Sequence, residues 1–247
     1  MNTNSMSRAA RGLAPGVRFG WRRHRDGQPA RNYWCARVGL QILLSVLVTF
    51  AAGLARADAY EDFNRAIATD DATTVTRLLE RGMDPNTVNE KGEPALLTAA
   101  REGSPAVVKA LIRARVKLNV KNGFGDTAIM IAALGGHLAV VKLLREAGAE
   151  INHPGWTPLQ YAAINGHDAV IDYLLTSGAD LALVAPNGVT PLMLAVHANK
   201  AETVKLLIGY GFDVSARNDK GETALAWALR GEYKDIEQIL RRAGAKE

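Results

Sequence analysis

Between residues 59 and 247 the apolar positions fall into short runs of helical spacing, and the runs come in pairs. The clearest pair lies in residues 155–180. Thr157 is placed to cap a helix, its hydroxyl able to accept an otherwise unpaired amide hydrogen, and Pro158 follows at the first helical position, where a missing N–H costs nothing. Gly166 stops that run. A second apolar run through Ile171 and Leu174 closes at Gly178, the residue type that most readily takes the left-handed conformation at a helix C-terminus. Each predicted helix is too short to be stable alone, so each must bury its apolar face against a neighbour.

The pair repeats in phase along the chain. Leading glycines stand at Gly92, Gly125, Gly155, Gly188 and Gly221, separated by 33, 30, 33 and 33 residues. Closing glycines stand at Gly82, Gly148, Gly178, Gly211 and Gly244, with Arg115 in the one vacant slot. One first-helix position is always alanine (Ala66, Ala99, Ala132, Ala162, Ala195, Ala228), and one second-helix position is always leucine (Leu78, Leu111, Leu144, Leu174, Leu207, Leu240). Small side chains on one face and large ones on another let successive helix pairs nest.

Two units carry Thr-Pro-Leu outright, at Thr157-Pro158-Leu159 and Thr190-Pro191-Leu192, and three come close, at Pro94-Ala95-Leu96, Thr127-Ala128-Ile129 and Thr223-Ala224-Leu225. Gly-His follows the first helix at Gly136-His137 and Gly166-His167. A period of about 33 residues with a Thr-Pro-Leu turn into a helix pair resembles the ankyrin repeat. The resemblance implies an all-α ankyrin-repeat solenoid of six helix-turn-helix units with hairpin-like loops, at about 59–91, 92–124, 125–154, 155–187, 188–220 and 221–247. The histidine that often follows Thr-Pro-Leu is replaced by Leu97, Met130, Gln160, Met193 and Ala226, so its hydrogen bonds between repeats are expected to give way to packing. The first and last units are polar on their outer faces, as terminal caps should be. Between Gly148 and Thr157 the connection is three residues shorter than its counterparts, which predicts a notch in the row of hairpins.

Charge divides the chain in two. Residues 1–57 hold nine Arg, no Lys and one acid, Asp26, a net of +8, which leaves 21 basic and 24 acidic residues, a net of −3, for the repeats. A mildly acidic repeat region gives no support to nucleic-acid binding. The single cysteine, Cys35, precedes the repeats and rules out a disulfide framework or cysteine metal site within them. Residues 1–37 read as an unstructured cationic leader. The apolar run 38–54 would reach about 25 Å as a helix, short of the roughly 30 Å hydrocarbon core of a bilayer. With Ala55-Arg56-Ala57 directly after it, the run is expected to be a signal peptide cleaved between Ala57 and Asp58, releasing a periplasmic or secreted repeat domain. An uncleaved inner-membrane anchor holding the repeats on the periplasmic side is the main alternative. A twin-arginine signal at Arg22-Arg23 lacks the apolar follow-on such signals show, and for a mitochondrial presequence the apolar run is too strong.

Ankyrin-like stacks, on the resemblance, use hairpin tips and the inner faces of the first helices as a concave binding surface. Phase places there the residues beside each leading glycine and those nine and ten beyond it. In the outer repeats these are polar: Glu90, Lys91, Glu93, Arg101 and Glu102 at one end, Asp219, Lys220, Glu222 and Arg230 at the other. In the centre they turn apolar, as Phe124, Leu134, Trp156, Ile164 and Val189 with His197 nearby, which is the composition of an interface centre. The competing reading is packing, with Trp156 filling the gap left by the short hairpin and Ile164 or Leu134 half-covered by neighbouring loops. Of the four histidines in the repeats, His137 and His167 occupy the structural Gly-His slot, and no two lie at the i, i+4 spacing of a helical metal site. No nucleophile sits beside a base, and the glycines do not form a phosphate loop. The expectation is a monomeric, non-enzymatic scaffold that binds a protein partner, with no cofactor, no metal and no nucleic acid, touching a membrane only through 38–54 if that segment is kept. A metal or enzymatic site on His153, His167 and His197 is the alternative from another class.

Overall fold

The computed structural model describes residues 58–246; the leader, Cys35, the apolar segment 38–54 and Ala57 lie outside the described residues. Twelve α-helices follow one another, with no strand among the described residues: α1 (58–68), α2 (Ala72–Glu80), α3 (Ala95–Arg101), α4 (Pro105–Arg113), α5 (Ala128–Leu134), α6 (Leu138–Glu146), α7 (Pro158–Asn165), α8 (Asp168–Thr176), α9 (Pro191–His197), α10 (Ala201–Gly209), α11 (Ala224–Arg230) and α12 (Lys234–Arg242). The first helices stack in one layer, α3 on α5 on α7 on α9 on α11. The second helices stack in the other, α2 on α4 on α6 on α8 on α10 on α12. This is the predicted all-α repeat solenoid.

The core lies between the two layers and runs unbroken from Phe63 to Ala245. All six slot alanines and all six slot leucines are buried in it. Alanine lets neighbouring first helices approach closely, and leucine fills the wider space behind. Thr157 is the N-cap of α7 with Pro158 at its first position, and Gly166 closes that helix in the left-handed region at φ 76°. Glycine is required for a second reason in the turn between the paired helices, at Gly103 and Gly136. A Cβ on Gly103 would stand 2.4 Å from the ring of His137, and one on Gly136 would stand 2.6 Å from that of His167. Each imidazole therefore lies against the preceding repeat, where its Nε2 meets a carbonyl: Arg101 O at 3.1 Å for His137 and Leu134 O at 2.9 Å for His167.

Packing alone does not replace the missing histidines after Thr-Pro-Leu, contrary to the expectation. Gln160 is fully buried; its Oε1 accepts the Thr157 N–H at 2.7 Å, while its Nε2 donates to Leu183 O, in the loop that leads to the next repeat, at 3.2 Å. An amide has both a donor and an acceptor and so can do what the absent imidazole does. Met130 keeps a weaker version, its sulfur 3.4 Å from the Thr127 N–H. A further ladder runs along the loops. Asn86 and Asn119 accept the N–H groups of Lys117 and Glu150, each about one repeat on, and Asn152 both accepts from Asp180 N and donates to Gly178 O.

Candidate hairpin-face binding site

Three of the hairpins are built by one device. Asn89, Asn122 and Asn218 each fold the side-chain oxygen back onto two amides, two and four residues ahead, at 2.9–3.0 Å. The turn then passes through Gly92, Gly125 or Gly221 at positive φ. This aims the residue after the glycine at the first-helix layer, where its partners are set by the slots five and eight positions further on.

In repeats 2 and 6 that residue is a glutamate, and it is met by its own helix. Glu93 pairs with Arg101, and Glu222 pairs with Arg230. Glu222 also accepts from Trp227 Nε1 at 2.7 Å and Asn218 Nδ2 at 3.1 Å. The bonds from Arg230, Trp227 and Asn218 hold its carboxyl down at about 2. Glu93 is lowered in the same direction, chiefly by the bond from Arg101. In repeat 3 the residue is Asp126, and its partner comes from the next repeat: Tyr161 Oη donates to Asp126 Oδ1 at 2.6 Å. Burial first, and this bond second, push the Tyr161 phenol well above its ordinary range, so it stays a donor.

Repeats 4 and 5 have no such carboxylate. Trp156 takes the slot in repeat 4, half-buried, its ring centroid 5.3 Å from that of Tyr161. The loop carrying it has no backbone hairpin bond between residues 150 and 156, in keeping with the notch expected from its three missing residues. Phe124, at the tip of the preceding hairpin, is 91% exposed. Leu134, at the end of α5, is 39% exposed, and its carbonyl accepts from both Asn165 Nδ2 and His167 Nε2. Ile164 is half-buried in the matching position of α7. Val189 is half-buried too: its backbone pairs with Ala185 at 2.9 Å and its side chain packs against the core. His197 is exposed and edge-on to Trp227, 5.7 Å between ring centroids.

The structure thus joins Trp156 to Tyr161, and His197 to Trp227, rather than making one continuous apolar sheet. Tyr161 and Trp227 did not figure in the sequence reading, although both stand six residues after a leading glycine, a slot as periodic as the ones used. The three histidines of the metal alternative are held apart in role. His167 is bound to Leu134 O, His197 lies on Trp227, and His153 turns Nδ1 toward Pro154 O at 3.4 Å. Among the described residues no group of three or more His, Cys, Asp or Glu is placed to hold a metal ion, and no helix is long and apolar enough to cross a membrane. Asp58 is exposed on α1.

A stack of paired helices with left-handed glycines between them and a row of hairpins along one side defines a repeat protein of the protein-interaction class. A family model of ankyrin repeats in three copies matches residues 63–154, 99–185 and 171–246, and the chain belongs to the ankyrin-repeat family. Protein phosphatase 1 regulatory subunit 27 from Homo sapiens is 40% identical over 65 residues, which is 26% of this chain and 42% of that protein. The Mus musculus protein of the same name is 38% identical over the same shares. The matched part spans less than half the length of either relative.

Proposed function

We propose that the protein is a non-catalytic scaffold that recognises a partner protein through the concave, hairpin-bearing face of its central repeats, with Phe124, Leu134, Trp156 and Ile164 at the centre of contact and His197 at its edge. The observation that carries this is the 91% exposure of Phe124 on a hairpin tip beside a repeat whose carboxylate slot has become Trp156. An aromatic held out in water by an otherwise ordered turn gains its burial from a second molecule. A stack rigidified by its own core presents such contacts preformed, which lowers the ordering cost of binding. The regulatory-subunit name of the relatives fits a role exerted through binding. On this reading the protein works as a monomer without nucleic acid or cofactor.

Affinity capture tests it. The protein and its Phe124→Ser, Trp156→Ser double variant are immobilised in parallel and exposed to an extracytoplasmic extract of the source cell, with the retained proteins read by mass spectrometry. A protein held by the first and lost by the second supports the reading; identical sets from both sink it. The apolar run 38–54 and Ala55-Arg56-Ala57 support export, with the repeats in the periplasm or medium. N-terminal sequencing of protein from that fraction should begin at Asp58, and recovery of Cys35-containing protein from the membrane would replace cleavage by anchoring.

A further inference from the structure

Residues 103–125 carry five cations, Lys109, Arg113, Arg115, Lys117 and Lys121, and no carboxylate, whereas the rest of the repeat region holds 16 basic and 24 acidic residues. All five are exposed. The ion pairs among the described residues use Arg65, Arg101, Lys205, Arg230 and Arg241, and none uses these five. Lys109 and Arg113 are four apart on α4, so they share a face and repel each other. Arg115 stands in the slot that is glycine in the five other repeats, at φ 62° where Gly82, Gly148, Gly178, Gly211 and Gly244 lie at 88–98°. A side chain in the left-handed region is strained, and the strain is kept here on an exposed arginine. The partial negative charge at the end of α4 favours Arg113 and Arg115 but does not reach Lys109 in mid-helix or Lys121 in the hairpin.

We propose that the outer side of α4 and the loop after it, as far as the start of the hairpin that carries Phe124, form a second binding surface for a short acidic segment of a protein. Its limits favour a short ligand over a polyanion. Two residues past the slot leucine the chain has Glu80, Arg113 and Glu146 in successive repeats, so an exposed carboxylate flanks Arg113 on each side along the stack, while the row of Lys109 continues into Lys142, which lies over the Tyr173 ring. Asp84 lies close enough to Lys117 for the two charges to interact. A nucleic-acid strand or a plane of anionic headgroups would run onto these acids, whereas a few carboxylates in sequence would not. The negative charge of the surrounding domain repels extended anions and leaves the patch as a local attraction, strongest at low ionic strength.

The test uses the full-length chain labelled with 15N, titrated with acetyl-hexaglutamate amide at low salt and followed by amide shifts. Because the leader contributes nine arginines of its own, the readout is site-resolved and every variant keeps the same leader. Shifts should centre on residues 105–121. Arg115→Gly should raise the melting temperature by removing the strain, yet weaken hexaglutamate binding at those amides about two- to five-fold; Lys109→Gln with Arg113→Gln should weaken it further. An Arg115→Gly protein that is more stable and binds as before makes Arg115 a cap only and overturns the proposal. So does the absence of shifts at 105–121. Larger shifts there with phosphatidylglycerol vesicles or a DNA duplex than with hexaglutamate would also overturn it, in favour of a membrane or a polyanion.

Discussion

Repeats 2 and 6 and repeats 4 and 5 share the same stacked pair of helices but finish their hairpin faces in opposite ways. In the outer pair the residue after the leading glycine is a glutamate closed onto an arginine eight residues later, Glu93 onto Arg101 and Glu222 onto Arg230. In the inner pair the same two slots hold Trp156 with Ile164 and Val189 with His197. The outer clasps use up their own charges, so these surfaces are complete without a partner. The inner slots have no charge to use, and only part of their apolar surface is covered from within the chain, by Tyr161 under Trp156 and by the core under Val189. Repeat 3 stands between the two modes: its Asp126 is retained but is spent on Tyr161 of the following repeat. The same stack of helix pairs can therefore be closed at its ends and open in its middle through two side chains per repeat and, in repeat 4, a hairpin shorter by three residues.

If the inner repeats depend on their core rather than on surface clasps, core damage there should outweigh any surface change. Leu174→Ala, at a fully buried slot leucine of repeat 4, should cost about 2–5 kcal/mol, read as a fall in the chemical unfolding midpoint. A loss below about 1 kcal/mol would mean the centre collapses easily and is held by something else. Gln160→Leu comes next. It strands the Thr157 amide and the Leu183 carbonyl, for about 1–3 kcal/mol, and hydrogen exchange should quicken at the junction of repeats 4 and 5 before it does elsewhere.

The outer clasps should show themselves through pH. The Glu222 carboxyl titrates at about 2 in the fold against 4.5 for the free side chain, so its folded pKa is depressed. Its contribution is complete above about 4.5 and is lost as pH falls through about 2. Glu222→Gln should therefore lower the melting temperature at neutral pH, and the gap from the parent protein should close across that window. Its side chain is 24% exposed, so the shift will be modest, and a gap that is constant with pH would break the assignment. The smallest stability effect belongs to Phe124→Ser, within about 0.5 kcal/mol because the ring is already in water. A larger loss would return Phe124 to the packing of the fold and remove the contrast between the two regions.

Much of this was legible in the linear pattern, for a definite reason. A repeat must place the same residue type at the same point of every unit to keep its layers in register, so the alanine, leucine and glycine slots announce both the fold and its phase. Even Arg115, the exception among the closing glycines, takes the left-handed backbone its slot demands. The notch at residues 149–157 could be counted from three absent residues. The periodic asparagines Asn86, Asn119 and Asn152 were equally available as a signal of loop-to-loop bonding, as were Tyr161 and Trp227 in their shared slot. What the pattern could not settle is which slot residue meets which partner, because those contacts depend on side-chain reach across a junction. Glu93 turns to its own helix while Asp126, one methylene shorter, is met from the next repeat; Val189 turns inward where Phe124 stays out; and Gln160 restores bonds that its position alone seemed to have lost. Short-range periodicity determined the scaffold, and the packing of one repeat on the next decided which of its surface residues remain free to bind.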